Sequence, residues 1–381
     1  MIQANRLNQV QEYYFSSKLR EVRALEAQGK PIINLGIGSP DLPPPPQVVE
    51  GLNKALTNSA AHQYQPYKGT TDFRNAIQEF YKSHYNVALD PENEILPLMG
   101  SKEGILHISM AFLNEGDEVL IPNPGYPTYS SVTKLVGATA VNYDLDEAGN
   151  WLPDLESLGK RDLSKVKLMW VNYPHMPTGA SATDKVFKDL VAFAKEHHIL
   201  IVNDNPYSFI LNEHPKSILE VEGAKDVVLE LNSLSKSFNM AGWRIGMLCG
   251  NEKFLSNVLK VKSNMDSGMF YPLQAGAAIA LRLPKEWFNS LNEVYSTRKE
   301  LVLELAAALN CKPAPEQTGL FVWAKVPVGT TSEVFVDQLL HTHDLFATPG
   351  FIFGSQGEGY IRFSLCTPEE TIKEAIKRVT K

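Results

Sequence analysis

Seven short apolar runs recur through the middle of the chain: EILPLMG, EVLIPNP, ATAVNYDL, VKLMWVNY, ILIVNDN, DVVLELNS and RIGMLCG. Stretches with helical periodicity, among them ILHISMAFL and ATDKVFKDLVAFAKEHH, alternate with them. Runs that are apolar throughout suit strands covered on both faces, so this rhythm predicts a mostly parallel mixed sheet sandwiched by helices. From about residue 285 the pattern changes to a long charged helix, KEWFNSLNEVYSTRKELVLELAAAL, then the strands GLFVWAKV and YIRFSL and a final helix. In that last helix Thr367 is expected to cap, Pro368 to open the first turn and Glu370 to complete a capping box. The tract PPPP at 43–46 predicts a stiff polyproline connection between two bodies. The expected architecture is α/β: a large domain over 46–284, and a smaller α+β domain built from both chain ends, 1–45 and 285–381.

Composition narrows the class of protein. The 381 residues are 44% hydrophobic and 21% charged, and a net charge of −7 without a basic run argues against nucleic acid or an anionic membrane as partner. No apolar stretch approaches the ~18 residues of a membrane span. The opening MIQANRLNQVQEYYF has neither the apolar core nor the cleavage site of a secretory signal. Cys249, Cys311 and Cys366 lie far apart without C-x-x-C spacing, which predicts buried free thiols in a reducing cytoplasm. No metal is expected.

In sheets of this kind ligands bind beyond the carboxyl ends of the strands, so the polar residues after each apolar run carry the interest. In SLSKSFNMAGWRIG, Lys236 follows a strand, flanked by Ser233, Ser235 and Ser237 with Arg244 beyond. A lysine beside apolar walls and a second cation loses its proton easily and can attack a carbonyl to form a Schiff base; serine hydroxyls and an arginine fork suit a phosphate. The alternative is a solvated loop with a surface lysine. GSKEG at 100–104 brings Ser101 and Lys102 to a helix start, either an anion site or a plain strand–helix turn.

After ILIV, NDNPY offers Asp204 for a cation or a protonated ring nitrogen and Tyr207 as a hydroxyl donor, although isolated residues of these types are often turn formers and core aromatics. Tyr126 in NPGYP can stack on a flat ligand or simply pack. Arg362, mid-strand in YIRFSL, needs a partner, and a carboxylate is the natural one. One sheet edge thus offers a Schiff-base lysine, a phosphate pocket, an acid, a phenol, a stacking aromatic and a carboxylate-binding arginine. Pyridoxal phosphate carrying an amino acid requires all of them.

These motifs resemble those of the class I/II aminotransferases among fold-type I pyridoxal-phosphate enzymes, from about LGIGSPD to the C-terminus. The most specific is S-x-S-K-x(7)-R, here SLSKSFNMAGWR. The resemblance implies Lys236 as Schiff-base lysine and proton-moving base, with Ser233, Ser235, Arg244 and the backbone of Ser101 and Lys102 on the phosphate. It implies Asp204 on the ring nitrogen, Tyr207 on the ring's phenolic oxygen and Tyr126 stacked on its face. Arg362 would clamp the substrate α-carboxylate with help from the Gly38 backbone. Tyr64 in YQPYKG would reach the phosphate of a neighbouring subunit, which implies a homodimer with shared active sites and a small domain that closes over substrate.

Two departures stand out. Where the family has N-P-x-N-P-T-G, this chain reads NYPHMPTG, so Met176 replaces an Asn that also contacts the phenolic oxygen. With one donor fewer, the Schiff-base proton should be held more tightly. Asn205-Pro206 stiffens the step from Asp204 to Tyr207, without expected effect on function. By resemblance, Met176–Pro177 and Asn123–Pro124 should be cis, and His175 should pack outside the ring.

The branch most resembled contains the LL-diaminopimelate and alanine/glutamate aminotransferases, which is weak ground for a substrate. Lys102 either meets a distal substrate carboxylate or is solvated. The expected activity is transfer of an amino group between an L-amino acid and a 2-oxo acid, with glutamate and 2-oxoglutarate as one pair. The alternatives are β-elimination on a sulfur amino acid, and a cofactor-binding regulator without turnover.

Overall fold

The computed structural model describes residues 3–10 and 14–380; Tyr13, and with it part of the YYF stretch, lies outside them. Its strands in chain order are β1 (Ile33–Asn34), β2 (Ile95–Leu98), β3 (Glu118–Asn123), β4 (Thr139–Asp144), β5 (Val166–Val171), β6 (Leu200–Asp204) and β7 (Val228–Ser233). There follow β8 (Gly246–Gly250), β9 (Lys312–Pro313), β10 (Phe321–Lys325), β11 (Leu345–Phe346), β12 (Thr348–Pro349) and β13 (Tyr360–Ser364). The helices are α1 (Tyr14–Ala27), α2 (Pro46–Leu56), α3 (Thr71–Tyr85), α4 (Ser101–Phe112), α5 (Thr128–Leu135) and α6 (Leu155–Gly159). They continue as α7 (Asp184–His197), α8 (Glu252–Lys262), α9 (Tyr271–Leu281), α10 (Lys285–Ala308), α11 (Ser332–His343) and α12 (Glu369–Val379).

The seven apolar runs become one seven-stranded sheet in the order β2-β8-β7-β6-β5-β3-β4. Only β8 runs against its neighbours. Why the runs are mostly apolar is visible along β5, where Lys167 alone is exposed. Leu168 and Trp170 pack into one core while Met169 and Val171 pack into the other, because alternate residues point to opposite faces and helices cover both. A buried charge inside β7 departs from the pattern. Glu230 of β7 is fully buried but accepts from Tyr81, Asn203, Ser217 and the Ile218 amide, and burial pushes its pKa up to about 7.

The chain ends share a second body. β1 pairs in parallel with β11, and β12-β13-β10-β9 form an antiparallel sheet against α10 and α11, with α12 packed on α10. The bidentate pair between Arg298 of α10 and Asp41, at 2.7 and 2.9 Å, fastens the segment after β1 to this body.

Two local expectations need correction. Thr367 does not cap the last helix, and Pro368, in extended conformation, takes the cap position without a side-chain bond. The Thr367 hydroxyl donates instead to the Asn34 carbonyl, so a long-range partner displaces the local one. The proline tract is a connection only as far as Pro45, and Pro46 is already the first residue of α2, where a missing N–H costs nothing.

Candidate active site

The carboxyl ends of the parallel strands, the start of β8 and the loop-facing edge of the small sheet enclose a cavity of about 560 Å³. Of the residues expected from sequence, Gly38, Ser101, Lys102, Tyr126, Met176, Asp204, Tyr207, Ser233, Ser235, Lys236, Arg244 and Arg362 all line it. Tyr64 does not: its side chain is 90% exposed, on the outside of the chain.

Lys236 enters the cavity from the turn after β7. Its ammonium donates to the Gly38 carbonyl and lies 5.8 Å from the Tyr207 ring centre. Burial lowers its pKa below the ordinary lysine value, with Arg362 and Arg244 acting in the same direction and Cys366 and Asp204 opposing. The amine is therefore easier to deprotonate than a surface lysine.

Asp204 ends β6 and is 6% exposed. The Tyr129 hydroxyl donates to its Oδ2 at 2.9 Å, whereas Oδ1 has no hydrogen-bond partner. Burial lifts the carboxyl to about 6, against the opposing pull of Tyr129 and Lys236. Tyr129 is itself immobilised, stacked flat on Trp170 with ring centres 4.8 Å apart. Burial also raises the Tyr207 phenol above its usual range.

On the β2 side the backbone closes tightly. Gly100 has a φ of 91°, and a Cβ there would stand 2.4 Å from Arg244 Nη2. At Gly246 a Cβ would stand 2.6 Å from the Ser101 amide. Arg244, Ser233, Ser235 and the first turn of α4 thus converge without intervening side chains, a cationic, donor-rich pocket at a helix N-terminus. Ser233 Oγ accepts from the Ser235 amide at 3.1 Å, which fixes the turn leading to Lys236.

Across the cavity, the Arg362 guanidinium lies over the rings of Phe321 and Phe353, at 4.0 and 4.8 Å from their centres. Its Nη2 donates to the Gly36 carbonyl at 2.9 Å, and its Nη1 to the Met176 sulfur at 3.2 Å. Met176 therefore serves the arginine as a soft acceptor. Asn172 fixes the turn that carries it: its Oδ1 accepts from the Met176 amide, and its Nδ2 donates to the Asp204 carbonyl. Asn123–Pro124, Tyr173–Pro174 and Met176–Pro177 are cis. His175 stays off the cavity, its Nδ1 2.8 Å from Thr178 Oγ1 and its pKa pushed down to about 3 by burial.

Sequence reasoning missed Tyr129, Asn172, Phe15, Phe321 and Phe353. Asn172 was within reach, since it follows the apolar run of β5 as Asp204 follows that of β6. Tyr129, in the first turn of α5, sits edge-on to Tyr126 with ring centres 5.6 Å apart.

The sequence pattern of the family "Aminotransferase class I and II" matches residues 30–379. The chain belongs to the class I and II aminotransferases. The LL-diaminopimelate aminotransferase of Aquifex aeolicus is 42% identical over 378 residues, covering 99% of this chain and 98% of that one. Substrate-bound BacF from Bacillus subtilis superposes with a TM-score of 0.95 at 38% identity, over 100% of this chain and 97% of that one. A mutant aspartate aminotransferase of Thermus thermophilus gives a TM-score of 0.93 at 25% identity, over 100% and 99% of the two chains.

The aminotransferase cofactor is pyridoxal 5'-phosphate, and three observations fit it. Asp204 Oδ1 is a buried carboxylate oxygen awaiting a partner, the glycine-lined pocket beside Arg244 has the donors an anion needs, and Lys236 is an amine with lowered basicity. Among the described residues no helix is long and apolar enough to cross a membrane.

Proposed function

We propose that this aminotransferase works through the twelve residues that line its cavity, with glutamate and 2-oxoglutarate as one of its substrate pairs. What supports this reading best is that Lys236, the half-partnered Asp204 and Arg362 face a single cavity. Pyridoxal phosphate, when bound, supplies a carbonyl that joins an amino group and a ring that accepts electrons from the substrate α-carbon. Arg244, Ser233, Ser235 and the amides of Ser101 and Lys102 hold its phosphate. Asp204 would keep the ring nitrogen protonated, Tyr207 would donate to the phenolic oxygen and Tyr126 would pack against the ring. Arg362 binds the substrate carboxylate through its fork. Lys236 Nζ takes the proton from the substrate α-carbon, a task that requires a neutral amine near pH 7. The panel that tests the function measures conversion of glutamate and other donors with 2-oxoglutarate and pyruvate as acceptors. Pyruvate and ammonia formed with no acceptor present would instead mark a lyase.

The chain divides, in this proposal, at about residues 45 and 285, and the smaller body closes over substrate. Tyr64, Tyr67, Met265 and Phe270 are exposed, and the Gln65 backbone crosses Gly268, which gathers them into one surface. That surface suits a second copy of the chain, with Tyr64 reaching its phosphate site. Light scattering should give twice the 42.4 kDa chain mass, and the chain mass itself would refute the dimer. The compartment we propose is the cytoplasm, where Cys249, Cys311 and Cys366 stay as thiols.

Asp204 gives a pH-dependent stability test. Folding lifts its pKa from 3.8 to about 6, so folding favours the neutral form. That contribution is fully present below about pH 3.8 and lost as pH rises through about 6. At pH 8 the cofactor-free fold bears an ionised buried carboxylate, a disadvantage on the order of 3 kcal/mol. Asp204→Asn should therefore raise the Tm of the cofactor-free protein at pH 8, with the gain vanishing toward pH 4, while weakening cofactor binding. Equal melting at pH 8 would count against it.

Met176→Asn tests the departure at the turn. An amide hydrogen bond to the phenolic oxygen is worth about 1 kcal/mol, so the pH midpoint of the cofactor's visible absorbance should fall by up to about one unit. An unchanged or higher midpoint would sink the idea.

A further inference from the structure

Behind Asp204 a polar pair sits in the sheet without reaching the cavity. Glu230 of β7 stands level with Asn203 of β6, and both are fully buried. The four hydrogen bonds to the Glu230 carboxylate are sorted by donor type. Oε1 takes two hydroxyls, Tyr81 at 3.1 Å and Ser217 at 2.8 Å. Oε2 takes two N–H donors, Asn203 Nδ2 at 3.0 Å and the Ile218 amide at 3.2 Å. A hydroxyl can rotate to accept, whereas these N–H groups can only donate. A proton arriving on Glu230 therefore goes to Oε1, and Oε2 accepts from Asn203 in either state. Burial lifts that titration to about pH 7, and burial also holds the surrounding Tyr81, Tyr85 and Cys249 protonated.

Asn203 passes this constraint to the neighbouring strand. With Nδ2 on Glu230, its Oδ1 faces the Tyr173 amide, which donates to it at 3.2 Å. The flipped amide would set its carbonyl against the carboxylate and its NH2 against the Tyr173 N–H. Two buried bonds would go unmade, so the observed orientation is preferred by about a hundredfold or more. Asn172 makes the reciprocal tie, donating to the Asp204 carbonyl and accepting from the Met176 amide. The ends of β5 and β6 are thus stitched in both directions, which gives Asp204 and the turn 172–179 one common position.

We propose that Glu230 is a positioning residue of this enzyme: by setting the orientation of the Asn203 amide, it holds the turn 172–179, with Met176 against Arg362, in place beside Asp204. This rests on the reading of Asp204 as partner of the ring nitrogen. What Glu230 supplies is an acceptor fixed at Oε2, independent of its charge.

Three holoenzyme variants test this: Glu230→Gln, Glu230→Leu and Asn203→Ala. Glutamine can set its carbonyl at the Oε2 place and its NH2 at the Oε1 place, where both hydroxyls turn to accept, so the bonds stay and the charge goes. It should keep kcat within about threefold and the parent pH profile between about pH 6 and 8. The leucine and alanine variants should each lower kcat by about tenfold or more and shift the midpoint of the cofactor's visible absorbance. In both, hydrogen exchange over residues 172–179 should quicken by about tenfold. The two changes combined should cost little more than the larger alone, because they cut the same link. Should Glu230→Leu fail to fold, Asn203→Ala still decides, since it leaves the hydroxyls and the Ile218 amide on the carboxylate. A glutamine variant that loses tenfold or shifts the pH profile, or Asn203→Ala with the parent kcat and exchange, would overturn the proposal. Asp204→Asn at the parent rate would refute the ring-nitrogen reading instead, and hydrogen exchange in the Glu230 and Asn203 variants would still show whether Glu230 holds the turn.

Discussion

With Lys236 replaced by alanine, transamination should fall by a factor of at least about 10⁴. The substitution removes a nucleophile and a base at once, and a positioned base alone is worth about 10² to 10⁴. No neighbour stands ready to substitute. The Tyr207 phenol is held protonated by burial, and Asp204 is tied to Tyr129 on one oxygen. The phosphate pocket does not depend on the lysine side chain, since Ser233 and Ser235 bond to one another and Arg244 is anchored on the Ala241 carbonyl. The variant should therefore still take up cofactor, more weakly, and show a changed visible spectrum. Turnover measured alongside that spectrum separates lost chemistry from lost binding. A variant that binds cofactor and works at the parent rate would remove Lys236 from the centre of the mechanism.

Arg362→Lys should lower kcat/KM for amino acids by about 10² to 10³. Charge is retained, so the loss measures geometry: a planar fork that meets both carboxylate oxygens against a single ammonium that cannot. The site is shaped for the plane. Phe321 and Phe353 lie against the guanidinium, while the Gly36 carbonyl and the Met176 sulfur hold its two Nη atoms. Lysine would leave the rings without a stacked partner and the Gly36 carbonyl without its donor. The test is steady-state kinetics with one donor, accompanied by the cofactor's absorbance to show that the distant ring site is intact. A loss below about tenfold would be too small for a bidentate clamp.

How far the sequence carries depends on the distance over which each feature is determined. The seven strands were legible because burial on both faces leaves no polar residue in a run such as LMWV, 168–171. Asp204, Ser233 and Lys236 were legible because chemistry in such sheets follows the strand ends. Phe15 carries no such mark. It reaches the cavity only because α1 packs on the turn carrying Ile352, more than three hundred positions further along the chain. Thr367 misled for the same reason, since its local capping pattern competes with the Asn34 carbonyl, which only the folded chain brings near. Met176 was read from a cofactor contact that its side chain cannot make, and the contact its sulfur does make, with Arg362, leaves no mark in the spacing of NYPHMPTG.

The reversed direction of β8 bears on what a sequence comparison is able to detect. Gly246, its first residue, is level with the last residues of both β2 and β7, Leu98 and Ser233. The chain thus leaves the sheet at Ser233 and rejoins it at Gly246 on the same edge, with Lys236 and Arg244 both inside that closed excursion. One residue inserted there would have to displace the amine, the guanidinium or the strand register. Between Tyr126 and Asn172, by contrast, the chain passes through helices and surface loops that can lengthen without moving either end. Spacing is therefore a fixed ruler in one segment and elastic in the others. That explains why S-x-S-K-x(7)-R can be written with a number in it, while the lengths between the separate motifs cannot.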